Sequence, residues 1–248
     1  MKLRKVTVTG ADDSISPIEL FSINREYPFV EFGILLSKGV GDLGGSRFPS
    51  TEWLKELKKL YDENAKSKIH FSGHICGSWV KDIFLKGIWP IDRRATADFE
   101  SIATRWQLNT HGIKHDFKGV MLKPVIQYRH ILGNEIIFQY DNENNQALFS
   151  CGDLTVSALF DLSHGAGVLP KKWPKPFAGI PCGYAGGLSP DNIEEQLAIL
   201  EPIVEDKTIW IDAESYLRSY DSSKGDYFDP NKVAKFLEKA KPWVKYEI

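Results

Sequence analysis

The chain has 248 residues, 42% of them hydrophobic and 26% charged, with a formal net charge of −2 at pH 7. These values lie near globular averages, which excludes a disordered or fibrous chain, and the near-neutral balance gives no electrostatic footprint for nucleic acid. No apolar run approaches the roughly 20 residues of a membrane span, and the N-terminus MKLRKVTVTG lacks the apolar core of a signal peptide. The expectation is a cytoplasmic protein with a small-molecule partner. The three cysteines, Cys76, Cys151 and Cys182, are widely spaced and form no CxxC pair, which argues against a disulfide framework or a structural zinc site.

From the N-terminus, strand-like and helix-like segments alternate with no Ser/Gly-rich linker, so 1–248 reads as one domain. Lys5 to Thr9 alternates β-branched residues and predicts a first strand, closed by Gly10 and the acidic loop Asp12-Asp13. Ser16-Pro17-Ile18-Glu19 predicts a helix start, with serine as N-cap, proline at the first helical position and glutamate completing a capping box. The same grammar recurs at Ser189-Pro190 and Asp229-Pro230. Phe29 to Leu36 is a second strand; the glycine-rich loop Gly39 to Ser46 then leads to Arg47 and a helix with Trp53, Leu54, Leu57, Leu60 and Tyr61 on one face.

Ile69 to Ile75 is a third strand, followed by a helix from Ser78 to Leu85. Thr104 to Leu108 is a fourth, ended by the polar cluster Asn109-Thr110-His111-Gly112, with a helix around Val120 to His130 despite Pro124. Glu135 to Tyr140 is a fifth strand, with a short helix near Asn145 to Phe149. Val156 to Asp161 and Phe177 to Gly183 supply the sixth and seventh strands, separated by a loop with His164, Gly165 and Gly167, and the seventh delivers Gly186-Gly187. A helix carrying Ile193, Leu197 and Leu200 precedes the eighth strand, Thr208 to Ile211; Val233, Phe236 and Leu237 mark the last helix. Eight strands, each followed by a helical segment, is the count of a closed (β/α)8 barrel.

In such a barrel the C-terminal strand ends meet around one mouth, where catalytic residues sit. Those ends read Thr9, Ser37, His74, His111, Asp141, Asp161, Cys182 and Asp212, whereas the strand interiors read as mainly apolar. Asp161 follows Ala158-Leu159-Phe160, surroundings that raise a carboxyl's pKa and suit a general acid; its alternative role is to cap the following loop. Asp212 has the same form after Ile209-Trp210-Ile211, and could equally orient the Glu214-Ser215 turn. Gly186-Gly187 after strand seven and Ser215 after strand eight occupy the places where barrels often hold phosphate. His70 and His74 share a strand face and invite a metal reading with His111, Asp161 or Asp212. The first strand lacks the H-x-H pair of metal-dependent barrel hydrolases, however, so neither metal nor cofactor is expected. Cys182, between Pro181 and Gly183, reads as a small buried residue.

The stretch Leu159-Phe160-Asp161-Leu162-Ser163, His164-Gly165-Ala166-Gly167, Trp173 and Ala185-Gly186-Gly187-Leu188-Ser189-Pro190-Asp191-Asn192 resembles the phosphoribosylanthranilate isomerase family, (β/α)8 barrels of tryptophan biosynthesis. Val8-Thr9-Gly10, Gly45-Ser46-Arg47-Phe48 with Ser50, Gln107-Leu108 with His111-Gly112, and Ile211 to Ser215 resemble further pieces of the family pattern. The resemblance implies an Amadori rearrangement of a phosphosugar-type substrate, with Asp161 as the acid that opens the furanose ring. It implies substrate contacts from Arg47, which holds a carboxylate, and from His111 and Asp212, and phosphate contacts from Gly165, Gly167, Gly186, Gly187 and Ser215. A homodimer is compatible with it. Thr9 stands where the family places its catalytic cysteine, and a threonine hydroxyl of ordinary pKa is a poor base. Asp12, Asp13, His74 and Cys76 are the alternative bases. Tyr216 replaces a glycine of the phosphate loop. These departures leave a second reading open, a barrel that binds a phosphorylated or carboxylated ligand without this chemistry.

Overall fold

The computed structural model describes residues 1–37, 46–64, 66–89, 97–110, 122–140, 156–161, 167–223 and 225–245. Eight parallel strands close into a barrel in sequence order: β1 (Lys2–Thr9), β2 (Val30–Leu36), β3 (His70–Ile75), β4 (Ala103–Leu108), β5 (Glu135–Tyr140), β6 (Val156–Asp161), β7 (Cys182–Ala185) and β8 (Thr208–Ala213). The described helices are α1 (Pro17–Glu26), α2 (Thr51–Glu63), α3 (Ser78–Lys86), α4 (Ala97–Glu100), α5 (Leu122–Ile131), α6 (Ile193–Val204) and α7 (Pro230–Ala240). An antiparallel hairpin, β9 (Arg218–Asp221) and β10 (Gly225–Phe228), stands between β8 and α7; the sequence reading has no counterpart for it. None of the described helices is long and apolar enough to cross a membrane.

Period-two alternation divides each strand between two surroundings. Val6 and Val8, Phe32 and Ile34, Ala158 and Phe160, and Ile209 and Ile211 belong to the large apolar core, while Ile137, Leu159, Ala185 and Trp210 form a separate small cluster inside the barrel. Not all of the barrel interior is apolar. Its lower layer is ionic: the Arg105 guanidinium lies 2.6 Å from Glu31 and 3.1 Å from Glu135, and stacks 4.5 Å above the Trp210 ring. Thr7 donates to Glu31 at 2.9 Å, and Ser157 to Glu135 at 2.6 Å. Burial alone would raise the Glu31 pKa, but Arg105, Lys5 and the Thr7 hydroxyl outweigh it and hold the carboxyl at about 2. Space is matched as well as charge. A Cβ on Gly183 would stand 2.1 Å from Trp210, and one on Gly33 would stand 2.2 Å from the Thr9 hydroxyl.

Three local expectations are corrected. Strand seven begins at Cys182, not Phe177, because Gly179 takes a positive φ of 75° and turns the chain ahead of Pro181; Cys182 thus lies at the start of β7, away from the mouth. Ser16 precedes α1 at the N-cap but makes no side-chain cap hydrogen bond, so the capping box is not formed. Ser189 does not cap a helix at Pro190: Asn192 ties back the turn by accepting from the Ser189 N–H, and α6 starts only at Ile193. The Asp229 cap is realised, its carboxylate accepting from the N–H groups of Asn231 and Lys232. The short helix expected near Asn145 lies outside the described residues.

Removing one partner of a buried ion pair strands the other charge, at a cost of about 3–5 kcal/mol. Arg105→Met leaves Glu31 and Glu135 uncompensated and should lower the unfolding free energy by about that much in urea titrations. Loss of less than about 1 kcal/mol would show that the network does not hold the barrel.

Candidate active site at the C-terminal mouth

Above the ionic layer and the small apolar cluster of Ile137, Leu159, Ala185 and Trp210, polar side chains surround a small cavity of about 70 Å³ lined by His74, Gln107, Gln139, Asp161, Asp212 and the Gly186-Gly187 turn, among others. Asp161 and Asp212 both lie opposite Ala185 in the strand register, one on each side of β7. Two inter-strand spacings put their Cα atoms roughly 10 Å apart, with both side chains directed inward.

Their immediate partners differ. The Asp161 carboxylate accepts from the Gln139 side-chain amide at 2.8 Å, and Asp212 accepts from the Thr9 hydroxyl at 2.7 Å. Burial pushes the Asp212 carboxyl up to about 8; the Thr9 hydrogen bond opposes this, and the negative charges of Glu214, Asp161 and Glu31 add to it. Asp212 therefore holds a proton at neutral pH. His74 goes the other way: burial, with Arg105 adding to it against Glu31, pushes it down to about 3, so its imidazole is neutral. The Gln107 amide nitrogen, which can only donate, lies 3.3 Å from His74 Nδ1, which assigns the ring proton to Nε2. Among the described residues Nε2 has no hydrogen-bond partner. Cys76, another alternative base, is pushed up to about 12 by burial and stays a thiol, held 3.1 Å from the Asn109 amide.

Gly167, Gly186, Gly187 and Ser215 lie close together. Gly167, Gly186 and Gly187 all have positive φ; a Cβ on Gly187 would stand 2.4 Å from the Leu169 nitrogen, and one on Gly167 would stand 3.3 Å from Ser215 Cβ. The loops after β6, β7 and β8 are thus in close contact at one wall of the cavity. Arg47 reaches the same wall: its Nη1 lies 2.8 Å from Glu214 and 3.3 Å from Ser215 Oγ, while its Nε faces Asp226 at 3.3 Å. Tyr216 lines the cavity and is half exposed.

Asp12 and Asp13 are occupied in joining loops. Asp12 accepts from the Arg47 N–H at 2.6 Å and from Arg218 at 2.8 Å, and Asp13 accepts from the Ser50 N–H at 2.6 Å. Arg218 also donates to the Gly10 carbonyl and pairs with Asp226, so the β9–β10 hairpin clamps the loops after β1, β2 and β8. Sequence reasoning gave no role to Gln107, Gln139, Arg218 or Asp226. For the two glutamines the signal was present, since both alternate inward with apolar neighbours near a strand end. His111, Gly165 and Asp141 lie outside the described residues. Among the described residues no three His, Cys, Asp or Glu side chains converge as a metal site.

A carboxyl raised by the fold resists ionisation. The stability linked to Asp212 is fully present below its ordinary value of 3.8 and is lost as pH rises through about 8. Asp212→Asn should therefore gain on the parent in melting temperature, by several degrees, as pH is raised across that window. A parallel pH dependence in both proteins would refute the assignment.

No family model matches the chain, and no curated protein matches its sequence. Solved structures match its shape. An aldolase from Escherichia coli superposes with a TM-score of 0.52 at 10% identity, over 97% of this chain and 91% of the aldolase. An endo-beta-1,4-glucanase from Xanthomonas axonopodis pv. citri gives 0.52 at 10% identity, over 99% of this chain and 100% of the other. At that identity the likeness is one of fold, and it places the chain among the (β/α)8 barrels.

Proposed function

We propose that the chain is an isomerase of the phosphoribosylanthranilate isomerase type, moving a proton between adjacent carbons of a small phosphosugar-like substrate. The observation that carries this reading is a pair of buried carboxyls facing one cavity, one of them protonated at neutral pH, beside a glycine-lined wall. A protonated carboxyl facing a second carboxyl across one cavity is the equipment of acid–base chemistry on one substrate.

In an Amadori rearrangement the ring oxygen must be protonated, the C1–O bond breaks as the amine nitrogen forms a C1=N bond, and C2 then gives up its proton. The resulting enolamine takes a proton at C1 as its C2 hydroxyl gives one up, and becomes the ketone. Asp212 holds the proton the first step needs, and Asp161, with one oxygen fixed by Gln139, receives the one from C2. The sequence resemblance gave the acid role to Asp161; the protonation of Asp212 favours the exchange of roles between the two. The neutral His74, with a proton on Nε2, can donate a hydrogen bond to a developing enolate without changing charge. Gly167, Gly186, Gly187 and Ser215 are positioned to take the phosphate, since their loops share one wall.

One observation favours the second reading, a pocket that binds without turnover. Arg47, expected to hold a carboxylate, already directs its donors to Glu214, Ser215 and Asp226. The test is loss of phosphoribosylanthranilate fluorescence on adding the purified chain. Asp161→Asn and Asp212→Asn should each lower kcat by about 10²–10⁴-fold. Activity of the parent should fall as pH rises above about 8, where Asp212 loses its proton. Saturable binding of the substrate with no turnover in any of the three proteins would establish the second reading.

A further inference from the structure

We infer that the opposite, N-terminal mouth of the barrel is a second binding site, for a small organic anion that joins a phosphate-like group to an apolar one. Arg4 and Lys5 near the start of β1, His70 at the start of β3 and Thr208 at the start of β8 place this cavity at the bottom of the barrel. Its volume is about 580 Å³, inside the ~300–1,000 Å³ range of small-molecule sites. It is larger than the space between the two aspartates.

Its walls carry one sign of charge. Lys68 and Lys245 on the rim are exposed and, among the described residues, have no ion-pair partner. Lys245 is set in place by the backbone, its N–H donating to the Leu3 carbonyl at 3.2 Å. Deeper in, Arg4 pairs with Glu135 at 2.6 Å and Lys5 with Glu31 at 3.5 Å. Those two carboxylates are already shared with Arg105, so the cations of the floor outnumber its anions before the rim lysines are counted. Burial lowers the pKa of Lys5 and of His70; Glu31 opposes this at both, while Arg105 and Arg4 at Lys5, and Lys5 and Arg105 at His70, add to it. A cleft lined by one sign of charge concentrates ions of the other.

Pro28 and Phe29 give the cavity an apolar side, which suits a ligand with an apolar or aromatic portion better than free phosphate. Arg4 and Arg105 both lie over the Trp210 ring, at 5.1 and 4.5 Å. With Gly183 leaving no space beside that ring, the indole plugs the barrel between its two ends. A ligand entering from below thus occupies a site separate from the aspartate pair, and this inference stands whether or not the proposed isomerase reaction holds.

The test is a titration of the full-length, 15N-labelled chain with phenyl phosphate, followed by amide shifts. Saturable shifts at Lys5, Lys68, Ile69, His70, Thr208 and Lys245 are expected. Lys68→Ala combined with Lys245→Ala should weaken binding by about tenfold or more, and arginine at both positions should restore it. Ser215→Ala, at the other mouth, should leave these shifts as they were. No saturable shift, shifts confined to Gly167, Gly186, Gly187 and Ser215, or equal affinity in the alanine variant would overturn the inference. So would binding of a thymidine oligonucleotide through the same lysines where phenyl phosphate gives none, which would mark a surface for polyanions instead.

Discussion

The Arg105 guanidinium is the interaction around which the barrel closes. It extends from β4 to carboxylates on β2 and β5 and lies on an indole from β8, while Lys5 and Thr7 of β1 and Ser157 of β6 complete the same network. Buried charges stabilise little when compared with apolar residues of equal volume, because desolvation offsets their attraction. What they do supply here is register. A slip of one residue in β4 would turn Arg105 out among the helices and leave Glu31 and Glu135 inside without it, a far larger penalty than a slip in an all-apolar strand.

The same layer sets the electrostatics of the mouth above it. One inward step along β4 leads from Arg105 to Gln107, along β8 from Trp210 to Asp212, and along β1 from Thr7 to Thr9. The charge of Arg105 opposes protonation of His74, and that of Glu31 opposes ionisation of Asp212. Burial is the larger cause in both cases. The floor thus adds to what desolvation begins at Asp212, while at His74 the larger effect of Glu31 opposes burial and Arg105 offsets it in part, so that burial leaves a neutral imidazole beside a protonated carboxyl.

How much of this the sequence discloses depends on how far apart the interacting residues lie. The strands were legible because alternation is a local property, and β5 and β6 match their expected bounds. The aspartate pair was legible because each follows an apolar run on its own strand. Strand seven was misplaced because Phe177 and Ile180 are apolar for packing reasons, partly buried against the core, while the backbone there is turning. The charges of Glu31, Arg105 and Glu135 had no meaning one strand at a time, since each is explained only by residues on other strands. The β9–β10 hairpin was missed for a related reason: Arg218 and Asp226 matter through contacts with Gly10, Asp12 and Arg47.

Thr9 shows how position and chemistry separate. In the resembled family this site carries the base, and a threonine there reads as a loss. In the fold its hydroxyl faces Asp212, 203 residues away, and donates to it at 2.7 Å. A donor to a carboxylate favours the ionised form, so Thr9 works against burial and keeps the Asp212 pKa lower than desolvation alone would set it. A carboxyl much above that value would give up its proton too reluctantly to serve as an acid near neutral pH, and one much below it would hold none. On the proposed reading, the first strand has exchanged a reacting group for one that tunes its neighbour, and the chemistry has moved to β6 and β8.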